Sequence, residues 1–359
     1  PEGGRFQYMD VTDGKMKSGR FGDFTGNKAH EVAMLFDYTF RNNLNWTLNA
    51  KFMNAPEANY VDFGGSNISE ATATDGLFLD DSKEAYTGLV EGRRTWLHFG
   101  KVKNALLTSE LKKKVGDHDM RLGLNEWYYH LDYHSSSFQW IGTVTEYPQI
   151  LNRREADGST DKFRGFNELS PEYTKGYENK LAAYFTDNWQ ITPKINVYYG
   201  ARLEYYRMSA DQIPYGRYAG FHIGDTHSYT DNDGNILSTE KIEPHKVIKD
   251  KLNYAATAQF TYKITKNFGL TADGTVATRF PRINEYAGTG PTEEQYKRVT
   301  IPLLRGGLFY HNNWINLTSM ITYISKSNNI DQQNVTKPGT TQSKTTLLIY
   351  DIKTLGWTT

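Results

Sequence analysis

Five times along this sequence, a connection of two to four residues joins two stretches in which apolar and polar residues alternate. The connections are Asn42-Asn43-Leu44-Asn45, Gly116-Asp117-His118-Asp119, Ile191-Thr192-Pro193-Lys194, Ile264-Thr265-Lys266-Asn267 and Asn312-Asn313, and their residue types are those of tight turns. Between these hairpins lie long connections, at roughly 55–105, 134–177, 208–250, 280–300 and 326–343. In an antiparallel meander, odd and even connections emerge at opposite ends of the sheet. One rim is therefore trimmed and the other carries bulky excursions, whereas loops beyond about 12–15 residues are uncommon in compact soluble domains.

The alternation itself is clearest from Ile195 to Arg207. There Ile195, Val197, Tyr199, Ala201, Leu203 and Tyr205 share one face, and Asn196, Tyr198, Gly200, Arg202, Glu204 and Tyr206 the other. Leu252 to Tyr262, Val32 to Phe40, Trp46 to Phe52 and Ile315 to Tyr323 repeat the pattern. A slip near Leu124 to Trp127 predicts a bulge. The strands run to about 11–13 residues where soluble strands average about 5–6, and roughly 9–11 tilted residues cross a bilayer. The expected fold is all-β: an antiparallel transmembrane β-barrel with short periplasmic turns and long extracellular loops. Arg202, Glu204, Asp37, Arg41, Lys51, Asp273 and Arg279 fall opposite the apolar rows, or at strand ends, on a face that suits a hydrated lumen. A soluble sandwich with that face in bulk water is the competing fold, and a soluble all-β enzyme or lectin the competing function.

Composition narrows the function. Lys and Arg number 41 and Asp and Glu 41, which argues against nucleic acid as a partner. Cysteine is absent, so there is no disulfide framework or thiolate chemistry. The longest apolar runs are five residues, Val32 to Phe36 and Leu181 to Phe185, far from the roughly 20 of a membrane helix. Trp189, Tyr199, Tyr205, Trp314 and Tyr323 lie near strand ends and suit a membrane interface, with cross-strand aromatic pairing as the alternative.

Two segments carry a family resemblance. Glu178 to Val197, with Asp187, Trp189, Ile191 and Thr192 and closing on Gly200-Ala201-Arg202-Leu203-Glu204, resembles the D-x-W-x-I-T…G-x-R-x-E hairpin of TonB-dependent outer-membrane receptors. Ala277 to Gly288, with Arg279, Pro281, Glu285 and Gly288, is similar to a later stretch of that family, and Gly306 to Asn328 resembles its next hairpin. Met53-Asn54-Ala55 and Tyr60 to Gly65 resemble the larger Bacteroidetes-type receptors.

The resemblance implies a 22-strand barrel closed by an N-terminal plug. About eleven strands are counted here, so residues 1–359 are expected to be one partial barrel domain, with the plug, the TonB-contacting segment and the last strands outside it. It also implies residence in the bacterial outer membrane and energy-coupled uptake of a glycan, peptide, siderophore, haem or cobalamin. The implied partners are outer-membrane lipids, TonB and a surface-exposed lipoprotein. A docking subunit or adhesin of the same membrane is the alternative.

Candidate binding residues are Tyr215, Arg217, Tyr218, Phe221 and His222, since aromatic and Arg side chains on a long loop suit sugar stacking or anion capture. Packing of that loop on its neighbours is the plainer reading. Asp231 to Asn235 resembles part of a calcium loop, but position 12 is Ile242, which favours a polar hairpin turn. His130 and His134 lie four apart on a strand, about 13 Å, too far for joint ligation. No cofactor is expected. Glu31, Glu110, Glu126 and Glu204 offer acid–base candidates only if one cleft unites them, and no nucleophile or phosphate-loop motif occurs.

Overall fold

The computed structural model describes residues 6–79, 82–154, 160–161, 172–213, 222–230, 236–280, 297–336 and 343–359. In chain order the strands are β1 (Phe6–Met9), β2 (Met16–Gly19), β3 (Asn27–Thr39), β4 (Asn45–Ala58), β5 (Tyr60–Ala71), β6 (Leu77–Phe78) and β7 (Gly88–Val115). They continue as β8 (His118–Thr143), β9 (Ile150–Arg154), β10 (Thr160–Asp161), β11 (Glu172–Thr192), β12 (Ile195–Ile213) and β13 (Thr226–Thr230). The last are β14 (Ile236–Lys241), β15 (His245–Lys263), β16 (Phe268–Arg279), β17 (Val299–His311), β18 (Asn316–Thr336) and β19 (Ser343–Thr358). One antiparallel meander dominates, in the order β3-β4-β7-β8-β11-β12-β15-β16-β17-β18-β19. It is an open sheet with β3 and β19 at its ends, and its path holds the eleven strands expected.

The tight turns close as their residues dictate. Gly116, at a φ of 57°, takes the left-handed conformation in the two residues between β7 and β8. The other four turns use a side-chain oxygen as backbone acceptor. Asn312 Oδ1 accepts from the amides of Trp314 (2.8 Å) and Ile315 (2.7 Å), and Asn42 Oδ1 from Leu44 (3.2 Å). Thr192 Oγ1 accepts from Ile195 (3.1 Å), and Thr265 Oγ1 from Phe268 (3.0 Å). All five lie on one rim.

Strand lengths depart from expectation. β7 spans 28 residues, β8 26, and β11 and β18 21 each. Much of what the sequence presents as long connection is therefore strand. The stretch 55–105 holds the end of β4, all of β5 and β6 and the first half of β7, while β18 and β19 leave only 337–342 between them. The bulge expected at Leu124 to Trp127 is absent, because pairing of β8 runs unbroken to both β7 and β11. A shift of register occurs instead between Gln190 and Thr192.

Register sorts the side chains into two walls. Along one face, Trp46, Leu111, Leu122, Phe185, Ala201, Ala256 and Val276 form a single cross-strand row, with Leu48, Leu124, Leu203 and Tyr254 in the next. This apolar face is the exposed one: Leu124 is 58% and Leu203 52% exposed, against 1% for Ala182 and Tyr206 on the polar face. That distribution is the reverse of a soluble sheet, whose apolar rows meet in a core.

Apolar clusters occur among the described residues toward the long-connection rim. The β1–β2 hairpin packs Tyr8 with Phe24 against Leu97, beside Phe99 and Trp140. Ala71, Leu77, Val90 and Leu151 form another cluster.

Candidate functional site

The polar wall is built from successive inward positions of β7, β8, β11, β12 and β15, and its side chains bond across strands. Arg202 Nη2 donates to Asn125 Oδ1 (3.2 Å) and to Glu204 Oε2 (2.9 Å). Asn253 Nδ2 donates to Glu204 Oε1 (3.2 Å), and Asn125 Nδ2 to Thr108 Oγ1 (2.9 Å). Tyr184 donates its hydroxyl to Glu110 at 2.9 Å, and Arg121 lies 3.6 Å from the same carboxylate. Below these, a polar groove of ≈ 540 Å³ opens between Asp119, Thr186, Asn188, Tyr198 and Gln259.

Higher on the same wall the chemistry becomes aromatic. The Lys180 ammonium lies 4.5 Å from the centroid of Trp127 and 5.7 Å from that of Tyr206, a cation–π arrangement. Trp127 stacks on Tyr129 at 5.6 Å, and Tyr206 donates to the buried Glu178 at 3.2 Å. Tyr206, Met208 and Ala210 form an apolar patch with Tyr129, Val247 and Phe280.

Nearest the long-connection rim, Tyr133 donates its hydroxyl to Glu172 at 2.9 Å, and Ser135 does so at 3.0 Å. Burial, together with the Glu172 charge, pushes the Tyr133 hydroxyl far above its ordinary range, so it keeps its proton. His98 Nδ1 sits 2.7 Å from that hydroxyl oxygen. His98 Nε2 faces Asp62 at 3.2 Å without forming a hydrogen bond, and the ring stacks on Tyr60 at 4.1 Å. Burial holds the His98 pKa below its usual value, against the opposing pull of Asp62 and Glu172.

Of the residues predicted from sequence, Tyr215, Arg217, Tyr218 and Phe221 lie outside the described residues, as does Asp231 to Asn235. His222 is described: its Nε2 lies 3.0 Å from Asp225, and its ring sits against Gly14 so closely that a Cβ there would collide with it. Trp189 stacks on His118 at 5.1 Å near the short-turn rim, and Trp314 stands 91% exposed in the β17–β18 turn. Tyr199 donates to Asp187 at 3.0 Å, Tyr205 to Asp250 at 2.8 Å, and Tyr323 pairs with Leu304 and Leu355; all three belong to the apolar face. Glu126 also lies on that face, opposite to Glu110 and Glu204, so the four glutamates do not share one cleft. Among the described residues no three His, Asp or Glu side chains gather as metal ligands. The lumen-side residues Lys180, Tyr184 and Asn253 were within reach of sequence reasoning, since strand parity fixes their face, whereas the expected bulge at Leu124 to Trp127 left the face of Trp127 open. Tyr60 and His98 were hidden by long strands taken for connection, and Tyr133 stands at the last position read as strand.

No curated protein sequence matches the chain at a significant level. Among solved structures, it is similar to the copper transporter OprC, at 13% identity and a TM-score of 0.46, covering 92% of this chain and 49% of that one. A Serratia marcescens hemophore receptor HasR, solved with its hemophore HasA and haem, aligns at 13% identity and a TM-score of 0.40, covering 92% and 51%. The Escherichia coli K12 ferric-catecholate import receptor Fiu aligns at 12% and 0.33, covering 91% and 60%. The chain thus spans about half the length of these structures. The profile described as TonB dependent receptor-like, beta-barrel matches residues 4–351, nearly the whole sequence, and the chain belongs to that family.

Proposed function

We propose that this chain is barrel wall of a receptor that takes up a scarce nutrient across the outer membrane, with energy delivered through TonB. The observation that carries the reading is the inverted wall: an ion-paired, aromatic-lined face turned inward and an apolar face turned out. A lipid-embedded sheet needs such an interior only where water, a ligand or a polar plug fills it. Members of the family are transporters of the bacterial outer membrane, not enzymes.

In that setting the apolar face meets lipid. On β15, Tyr262 and Tyr254 are eight residues apart, about 20 Å along the normal for a strand tilted about 40°, close to the roughly 25 Å apolar band of such barrels. Trp189 and Trp314 mark the periplasmic edge with Tyr199 just inside it, and Tyr205 with Tyr323 the outer part of the band. Capture of the nutrient falls to the long-connection rim, with Tyr215, Arg217, Tyr218, Phe221 and His222 as its contacts, passing it to the Trp127–Lys180–Tyr206 cluster below.

The test starts from the full-length receptor. Its co-purified ligand, identified by mass spectrometry, is labelled and its uptake measured in cells with and without TonB. Uptake that stops without TonB is expected, and uptake that persists overturns the reading. Tyr215→Ala, Arg217→Ala and His222→Ala are each expected to weaken ligand binding; if none does, the loop assignment fails while the uptake reading stands.

A further inference from the structure

On the apolar face, side-chain character changes abruptly just above the band. Along β7 it runs Leu111, Ser109, Leu107 and Ala105, and then Lys103 and Lys101. Along β8 it passes from Leu122 and Leu124 through Glu126 and Tyr128 to His130 and Asp132, and β11 brings Lys175 to the same level. Register sets Lys103 opposite His130, both Lys101 and Lys175 opposite Asp132, and Lys175 on its other side opposite Asp211. Lys175 Nζ lies 3.4 Å from the Asp132 carboxylate. Opposed residues stand about 5 Å apart at Cβ, so the exposed Lys101 and Lys175 flank Asp132 with Lys103 one step below on the same face, three ammonium groups against the two carboxylates of Asp132 and Asp211. Arg207, exposed on the same face and 3.7 Å from Asp250, extends the belt onto β12.

Directly beneath lies a groove of ≈ 400 Å³, walled by Met34, Phe52, Leu107 and Tyr128, with Ala50 and Ala105 giving it depth. Ala105 is two residues below Lys103, and Tyr128 two below His130, so the groove opens toward the basic cluster. Glu126 forms one wall and accepts a hydrogen bond from Asn179 Nδ2 at 3.1 Å.

We infer that this outward face is a binding site for a phosphate-bearing lipid of the outer leaflet, its acyl chain in the groove and its phosphate among Lys101, Lys103 and Lys175. A soluble anion accounts for the lysines but not for an apolar groove continuous with them. A neutral lipid accounts for the groove but not for the excess positive charge at headgroup depth. The inference needs the outer-membrane placement of the chain, not its role in uptake.

The experiment titrates full-length receptor in non-ionic detergent with phosphatidic acid and with phosphatidylcholine of the same chains, counting bound lipid by native mass spectrometry. Phosphatidic acid is expected to be retained in preference. Each lysine near a charged headgroup is worth about fivefold in affinity, so Lys103→Gln should weaken retention by about fivefold and the triple Lys101→Gln, Lys103→Gln, Lys175→Gln by roughly a hundredfold. The corresponding triple arginine variant should retain it. Ala105→Trp, which fills the groove with every charge in place, should weaken it too, and circular dichroism checks that each variant is folded. Equal retention of the two lipids, an unaffected triple glutamine variant, or complete displacement by inorganic phosphate would each overturn the assignment, the last by showing a site for the free ion.

Discussion

His98 carries a charge state set by its surroundings. Buried between Tyr60 and Tyr133, it has a pKa below the ordinary 6.5, so the neutral ring is the folded form at neutral pH. The unfolded chain binds the proton more readily, and stability therefore rises with pH across the window between the two values. Packing of β5, β7 and β8 around His98 is fully present above about pH 6.5 and weakens as pH falls through the depressed value. Amide exchange measured at descending pH should show early loss of protection in these strands, and His98→Gln should reduce that dependence while leaving neutral-pH protection close to wild type, the remainder resting on His130 and His134 of β8, which burial also holds below the ordinary value. Exchange that is flat with pH in the wild-type chain would remove His98 from this role. On the apolar face, Asp187 is the buried polar link. It is 1% exposed, lies 2.6 Å from His118 Nδ1 and accepts from Tyr199, tying β8, β11 and β12 together beneath the Trp189 ring.

Each strand presents two unlike solvents to its two faces, and substitutions should cost accordingly. Leu124 and Thr257 stand at similar depth, seven residues from Asp117 and from Ile264 respectively, but Leu124 faces outward, and Thr257 faces inward, where its hydroxyl meets that of Thr275 at 2.8 Å. Leu124→Arg places a cation near the bilayer midplane, at about 2–4 kcal/mol. Thr257→Arg reaches the hydrated interior and should cost about 1 kcal/mol or less, the lost hydroxyl contact included. Urea unfolding from lipid vesicles compares the two, and equal costs would mean that both faces meet the same medium. This two-faced chemistry is also why part of the fold was legible in the sequence. Where a strand crosses lipid, period-two alternation survives, and the turns announce themselves through Asn, Thr and Gly. Above the band both faces are covered, as Leu97 at 0% and the adjacent His98 at 8% exposure show, so alternation fades and the first half of β7 looked like loop. The face of Tyr206 followed from parity, but its meeting with Trp127 and Lys180 depends on pairing between distant strands, which no local pattern encodes.

At the scale of the whole molecule the decisive property is sidedness. All five tight turns lie on one rim, and the β13–β14 hairpin and the β1–β2 hairpin lie toward the other. A barrel of this family puts its tight turns in the periplasm and its long excursions outside the cell. The absence of cysteine from the sequence makes that arrangement testable one position at a time, because a single introduced thiol is the only reactive one these residues contribute. Asp117→Cys, exposed in the turn between β7 and β8, should resist a membrane-impermeant maleimide in intact cells and label once the outer membrane is permeabilised. Thr239→Cys, exposed on β14, should label in intact cells at once. Labelling of both in intact cells would show that the rims are not divided between two compartments, the reverse order would show them inverted, and either result would remove the lysine belt from the outer leaflet.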